Sequence, residues 1–242
     1  MEVHAHSHTP RKKFTHYLWE FLMLFLAVFC GFLAENFREH LVEHQREKQF
    51  AKQLLADLRA DSLFLSKGVE QMNLVLKKHQ QFYQLMTGTS KPTDREILNS
   101  CLPLIYTYST VVTTATYNQM KASGSLRYIQ NETITNSLRN YYEVIVPDIS
   151  SNNNYESNYY NNYIDPFVIK HFRIQDIDYV GDSVKTKDPV ILNRTSQTDQ
   201  ELLNIIEGYA VGHRTILERI TIPTQKRVTK LIELMKKEYH LQ

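Results

Sequence analysis

Cysteine is almost missing from this chain of 242 residues: Cys30 and Cys101 are the only two, they lie far apart, and neither belongs to a C-x-x-C pair. A disulfide framework is therefore not expected. Glycine and proline are scarce too, seven of each. That is too few for the many tight turns of a β-sandwich or barrel, and it points to long helices. Neither sign of charge dominates, since 28 basic residues face 26 acidic ones for a net charge of +2. Without a basic footprint, nucleic acid is not an expected partner. The G-x-S-x-G elbow, the Walker loop and the dinucleotide fingerprint are all absent from the sequence. No enzyme activity and no cofactor are expected on those grounds.

What is present is apolar: 42% of the residues are hydrophobic, enough for one sizeable core or for one core plus a membrane segment. The longest apolar stretch, "YLWEFLMLFLAVFCGFLAENFREHLVEH" (residues 17–44), turns from apolar to charged with no Gly or Pro break between its halves. Its unbroken core, residues 21–34, suits a signal peptide or a buried helix as well as a span. Extended to residues 17–37 it becomes about 32 Å of α-helix, matching a hydrocarbon layer of roughly 30 Å. Tyr17, Trp19 and Phe37 stand where interfacial rings sit, and Glu20 and Glu35 fall near the two ends. A cleavage site wants small residues in an A-x-A pattern, yet Phe32 stands two positions before Ala34. The reading is an uncleaved anchor in a lipid bilayer. Basic residues flank both ends: Arg11, Lys12 and Lys13 before it, and Arg38, Arg46, Lys48 and Lys52 after it. Large domains cross regardless of charge, so the short basic tail (residues 1–16) is expected in the cytoplasm and residues 38–242 outside it.

On a helical period Glu20, Ala27, Gly31 and Ala34 share one stripe, with a small-xxx-small pair at Ala27 and Gly31. This is the expected membrane-helix packing face, for a second copy or another membrane protein. Beyond the anchor, steps of three and four run through Ala51, Leu55, Leu58, Ser62, Leu65, Val69, Met72, Leu76, His79, Tyr83 and Met86. They predict a long stalk helix continuous with the anchor, with Ala51, Leu55, Leu58 and Leu65 as its packing positions.

Further along, "TGTSKPT" (residues 87–93) is a turn, and Thr93 with Glu96 forms a capping box that opens a helix running to about Leu102. "ATYNQMKASGSL" reads as a short helix stopped near Gly124, and another begins at Asn131 with Asn131 or Thr133 as its cap. The Asn/Tyr-rich run at residues 151–163 reads either as a continuation of that helix or as a polar loop. Asp165-Pro166 has the pattern of a fresh helix start, and residues 180–198 are the least regular. Leu202, Ile206, Tyr209, His213, Ile216 and Ile220 again step by three and four, and Pro223 should kink or divide the helix they form. The expected fold is all-α: an N-terminal transmembrane helix continuous with a long stalk helix, then an antiparallel bundle in which the first and last long helices pair.

Two patterns invite a metal. His40-Leu41-Val42-Glu43-His44 matches H-x-x-E-H, with both imidazoles on one helix face as zinc requires. It sits on a charged helix, however, with no apolar segment to shape a site, and a solvated helix face is the preferred reading. "HAHSH" (residues 4–8) is similarly read as a polar tail, so no metal site is expected.

Glu20 opening the apolar run, Asn36-Phe37 and Glu39 closing it, "LLADLRADS" (residues 54–62), "YNQMKASGSLRYIQNETITNSLRNYY" (residues 117–142) and "VTKLIELMKKEYH" together resemble a domain-of-unknown-function family of single-pass membrane proteins from Bacteroidota-type bacteria. The chain departs from that pattern at Phe37, where the family has Trp, and at Ala27, where it has Gly. The resemblance implies a bacterial inner membrane with the domain in the periplasm, and it implies no activity, substrate or cofactor. The expected function is a membrane-anchored, non-catalytic scaffold or accessory subunit that self-associates or binds a membrane-protein partner. A periplasmic sensory, ligand-binding module is the first alternative, and a membrane-proximal zinc peptidase using His40, Glu43 and His44 is the second.

Overall fold

A computed structural model describes residues 14–105, 109–180, 183–186 and 190–241. The His-rich run at residues 4–8 and the basic triplet at residues 11–13 lie outside them. The chain forms two compact units that divide between Gln49 and Phe50, twelve residues beyond the boundary expected at residue 38. The first helix, α1 (Phe14–Thr87), contributes to both. In the first unit its apolar side chains are exposed, and Phe21, Phe25 and Phe29 stack along one helix face with ring centroids 6.3 and 5.9 Å apart. The apolar stretch of this helix, none of it buried, is long and apolar enough to cross a membrane.

The second unit is helical apart from one small hairpin. It contains α2 (Asp94–Cys101), α3 (Ala115–Ala122), α4 (Glu132–Arg139), α5 (Val146–Tyr159), α6 (Asp165–His171), α7 (Ser196–Ile216) and α8 (Ile222–Tyr239). The all-α expectation holds. Strands β1 (Ile177–Val180) and β2 (Ser183–Thr186) pair antiparallel, with Ile177 opposite Thr186 and Val180 opposite Ser183; β2 lies inside the stretch read as irregular, residues 180–198, and β1 runs up to its start. An isolated bridge joins Phe172 to Ile191.

Local chemistry sets most boundaries. Thr93 Oγ1 accepts from the Glu96 N–H while the Thr93 N–H donates to the Glu96 carboxylate, which closes the capping box that starts α2. Asn131 Oδ1 accepts the Ile134 N–H and starts α4. Gly124, at φ 68°, ends the α3 turn in a conformation that any side chain would resist. Arg194 donates to Asp94 at 2.7 Å and to Asp199 at 2.8 and 3.1 Å, tying the start of α2 to the start of α7.

The core is a seam between α1 and the pair α7 and α8. Ala51, Leu54, Leu58 and Leu65 cluster with Val228, Leu231, Met235 and Tyr239; Met72 clusters with Ile216 and Leu217; Phe82 clusters with Leu202, Ile206 and Tyr209. As numbers rise along α1 they fall along its partners, so the pairing is antiparallel. The seam differs in register from its sequence-based form at two positions. Asp61 is buried where Ser62 was expected, and Phe82 is buried while Tyr83 is exposed.

Prolines behave in an unexpected way. Pro223 does not divide its helix, Asp165 does not cap a new one, and residues 151–163 are helix rather than loop. Each of Pro147, Pro166 and Pro223 lies just after a widened π turn, at Asn140–Ile145, Tyr160–Ile164 and Leu217–Thr221. In each case the residue before the proline donates five residues back: Val146 to Tyr141, Asp165 to Tyr160 and Ile222 to Leu217. A proline ring collides with the carbonyl four residues earlier, here on Glu143, Asn162 or Arg219. All three carbonyls sit inside the π turns, and the wider turn makes room for the ring without ending the helix.

Helices α5 and α7 meet over Gly208 and Gly212. Tyr159 stacks on Tyr209 with centroids 5.4 Å apart, and its hydroxyl donates to the Ile205 carbonyl at 2.9 Å. A Cβ on Gly208 would collide with that hydroxyl, whereas one on Gly212 would stand at an ordinary 3.4 Å from the Tyr155 ring. Alanine favours a helix over glycine by about 1 kcal/mol. Gly212→Ala is therefore expected to leave stability unchanged or raised. Gly208→Ala is expected to lower it by about 1–2 kcal/mol, by displacing the Tyr159 hydroxyl. Urea unfolding of the two variants, compared with the parent chain, measures the difference.

Candidate functional site

Sequence-predicted packing residues fall into two groups. Glu20, Ala27, Gly31 and Ala34 are exposed, and a Cβ on Gly31 would touch nothing in the chain. Ala51, Leu55, Leu58 and Leu65 are buried in the domain's own core. The stalk positions are thus taken up by α8 and the helices around it, which leaves only the anchor stripe uncovered. In the H-x-x-E-H stretch, His40 and His44 are exposed, and His44 stands 3.5 Å from Glu47. Among the described residues no group of three or more His, Cys, Asp or Glu side chains is arranged to hold a metal ion.

Two polar layers interrupt the apolar seam on α1. The first centres on Asp61, 2% exposed, whose carboxylate accepts from the Thr113 N–H and from the Tyr141 hydroxyl, each at 2.8 Å. Burial pushes the Asp61 carboxyl up, and the two hydrogen bonds hold it down. Beside it Tyr117 stacks on Tyr142 with centroids 4.3 Å apart, and Tyr141 meets Tyr142 edge-on at 4.8 Å. The Asp61 carboxylate finds its partners within the chain, while the Tyr142 hydroxyl is buried with no hydrogen-bond partner among the described residues. This layer fastens the segment before α3 to the core.

The second layer does not satisfy itself. His79 of α1 and His213 of α7, each 2% exposed, face each other with Nε2 of the first 3.3 Å from Nδ1 of the second. Beyond His213, its Nε2 lies 3.5 Å from Oε1 of Glu156 on α5, a carboxylate that is 3% exposed. Three helices therefore supply a line of titratable groups, Glu156 to His213 to His79. Burial brings both imidazoles down to about 4, with the His213 and Arg214 charges adding to the effect on His79. Both rings are neutral at pH 7, and burial outweighs the carboxylate beside His213.

Neutral rings leave the histidine pair two arrangements. With the proton on His79 Nε2, His213 Nδ1 accepts it and a lone pair is left on His79 Nδ1; with the proton on His213 Nδ1, the bond reverses and His79 Nδ1 becomes a donor. The approach of Glu156 to His213 Nε2 is not a hydrogen bond. His79 Nδ1 is buried with no hydrogen-bond partner among the described residues, and His79 lines an open cleft of about 520 Å³ between α1 and α7. Tyr209, its ring tilted against His213 with centroids 4.2 Å apart, also buries a hydroxyl with no such partner.

The histidines were visible in the sequence only as polar members of apolar series on α1 and α7. A buried polar side chain at a seam position needs a partner, so each was a signal that something faced it. Glu156 gave no such signal, because it stands in an Asn/Tyr-rich run whose helical state was open.

The unfolded chain takes up protons at these histidines below about pH 6.5, and the folded chain only below about pH 4. Stability is therefore full above pH 7, falls as pH drops from about 6.5 to 4, and loses nothing more from these groups below that. Melting temperatures measured between pH 7.5 and 4.5 are expected to fall. His79→Leu removes one titrating ring and should flatten that slope by about half.

No protein-family model, curated protein or solved structure matches the chain.

Proposed function

We propose that this chain is a membrane-anchored, non-catalytic helical module: an accessory or scaffold subunit held in a lipid bilayer by the apolar part of α1, where it self-associates or engages another membrane protein. The observation that carries this reading is the exposure of every large apolar side chain at residues 17–33 on one unbroken helix. Water would not tolerate that surface, and a bilayer is its natural solvent. The setting proposed is a bacterial inner membrane, with the N-terminus cytoplasmic and the helical domain periplasmic. Support comes from the basic residues before the span and from the family resemblance. Because the stalk seam is used inside the domain, association falls to the stripe of Glu20, Ala27, Gly31 and Ala34.

A second reading, a sensory module, has its own observation. The buried His79 belongs to the same helix as the proposed span, so a ligand or proton bound there acts on the element that enters the membrane.

Disulfide crosslinking of single cysteines in native membranes, on a Cys30→Ser background, tests the main reading. Crosslinks are expected to peak at positions 27, 31 and 34 and to be missing at the buried positions 55, 58 and 65. A monomer in mild detergent that gives no periodic crosslinks and captures no membrane protein would sink it.

A further inference from the structure

The cleft beside His79 carries an assignment of its own. Its walls come from α1, through Lys77, His79 and Tyr83, and from α7, through Glu207 and Arg214. Two of its polar atoms are buried with no hydrogen-bond partner among the described residues: His79 Nδ1 and Glu207 Oε1. Such atoms cost about 1–3 kcal/mol each when nothing meets them, and native proteins keep few of them without a reason. The two atoms want the same thing. When His79 Nε2–H donates to His213 Nδ1, His79 Nδ1 presents a lone pair, and a carboxylate oxygen is an acceptor, so the missing group is a donor with more than one hydrogen.

The cations of the cleft want the opposite. Lys77 and Arg214 are exposed and make no ion pair among the described residues, while the Arg214 charge is felt by both His79 and Glu207. A simple amine would answer the acceptors and be repelled by the two cations. A simple carboxylate would answer the cations and leave the buried acceptors empty. Lys77 and Arg214 stand on the cleft with Glu207, and a ligand carrying both signs answers both kinds of group. The cleft, at about 520 Å³, lies within the usual range for a small-molecule site, and the half-exposed Tyr83 ring offers apolar surface beside it.

We propose that this cleft binds a small zwitterion of the free amino-acid type, its ammonium received by His79 Nδ1 and Glu207 and its carboxylate held by Arg214 and Lys77. The ammonium fixes the histidine pair in the arrangement that donates from His79 Nε2 to His213 Nδ1, so occupancy is registered at α7 as well as at α1. This gives the sensory reading its ligand class, and it rests on that reading only for the signal, not for binding.

The test uses the full chain in mild detergent at pH 7.5. Each of the twenty common amino acids is added at millimolar concentration, with propylamine and propionate as single-charge probes, and melting is followed by titration calorimetry on any hit. At least one amino acid is expected to raise the melting temperature by roughly 3 °C or more, with neither single-charge probe doing so. Arg214→Gln, at an exposed position the fold does not need, should weaken binding about tenfold or more, and Glu207→Gln should do the same. No shift with any amino acid, an equal shift with propylamine, or unchanged binding in Arg214→Gln would each overturn the assignment. Repeating the membrane crosslinking with the hit present separates the two ideas: binding with an unchanged crosslink pattern upholds the site and removes the sensing role.

Discussion

Everything in the helical domain depends on one apolar stripe along α1 from Ala51 to Phe82, and on the antiparallel pair α7 and α8 that covers it. Fully burying a Leu or Phe side chain stabilises a fold by about 1.5–3 kcal/mol, and the stripe contains Leu54, Leu58, Leu65 and Phe82 at 1% exposure or less. The polar layers at Asp61 and His79 are tolerable because this stripe surrounds them. Each occupies a position that an apolar side chain would have filled, and of the two side chains only Asp61 finds its hydrogen bonds within the chain.

Where a feature is set by neighbours in sequence, the sequence alone was enough. The Thr93 capping box, the Asn131 cap and the left-handed stop at Gly124 each depend on side chains within three or four residues, and each stands where its pattern placed it. The alternating steps along α1 and α7 likewise gave the seam and its antiparallel sense. Failure came where the partner is remote. Asp61, not Ser62, is buried because Thr113 and Tyr141, 52 and 80 residues away, converge on it. His79 and Glu156 belong to one site only because His213 stands between them. No local pattern encodes a three-helix meeting point.

The prolines show a different kind of miss. Proline after a cap-like residue reads as a helix start, and proline inside an apolar period reads as a break. Here neither outcome occurs. At three sites the backbone widens by one residue per turn just ahead of the ring, and the helix from Glu132 to His171 and the one from Ser196 to Tyr239 each run on past their prolines. The extra residue also rotates the side chains beyond it, which is how the tyrosines of α5 come to face the glycines of α7.

The antiparallel seam also orders the chain in time. A helix emerging first from synthesis shows its apolar stripe to the surroundings, and the residues that cover it follow much later, as the separation of 134 residues between His79 and His213 measures. Contacts of such range make closure slow, and an uncovered stripe is prone to wrong pairing while it waits. The buried Asp61 and His79 then interrupt what would otherwise be an unbroken adhesive edge. Their polarity, unfavourable in the finished core, keeps the nascent helix from presenting a uniformly apolar face to another copy of itself.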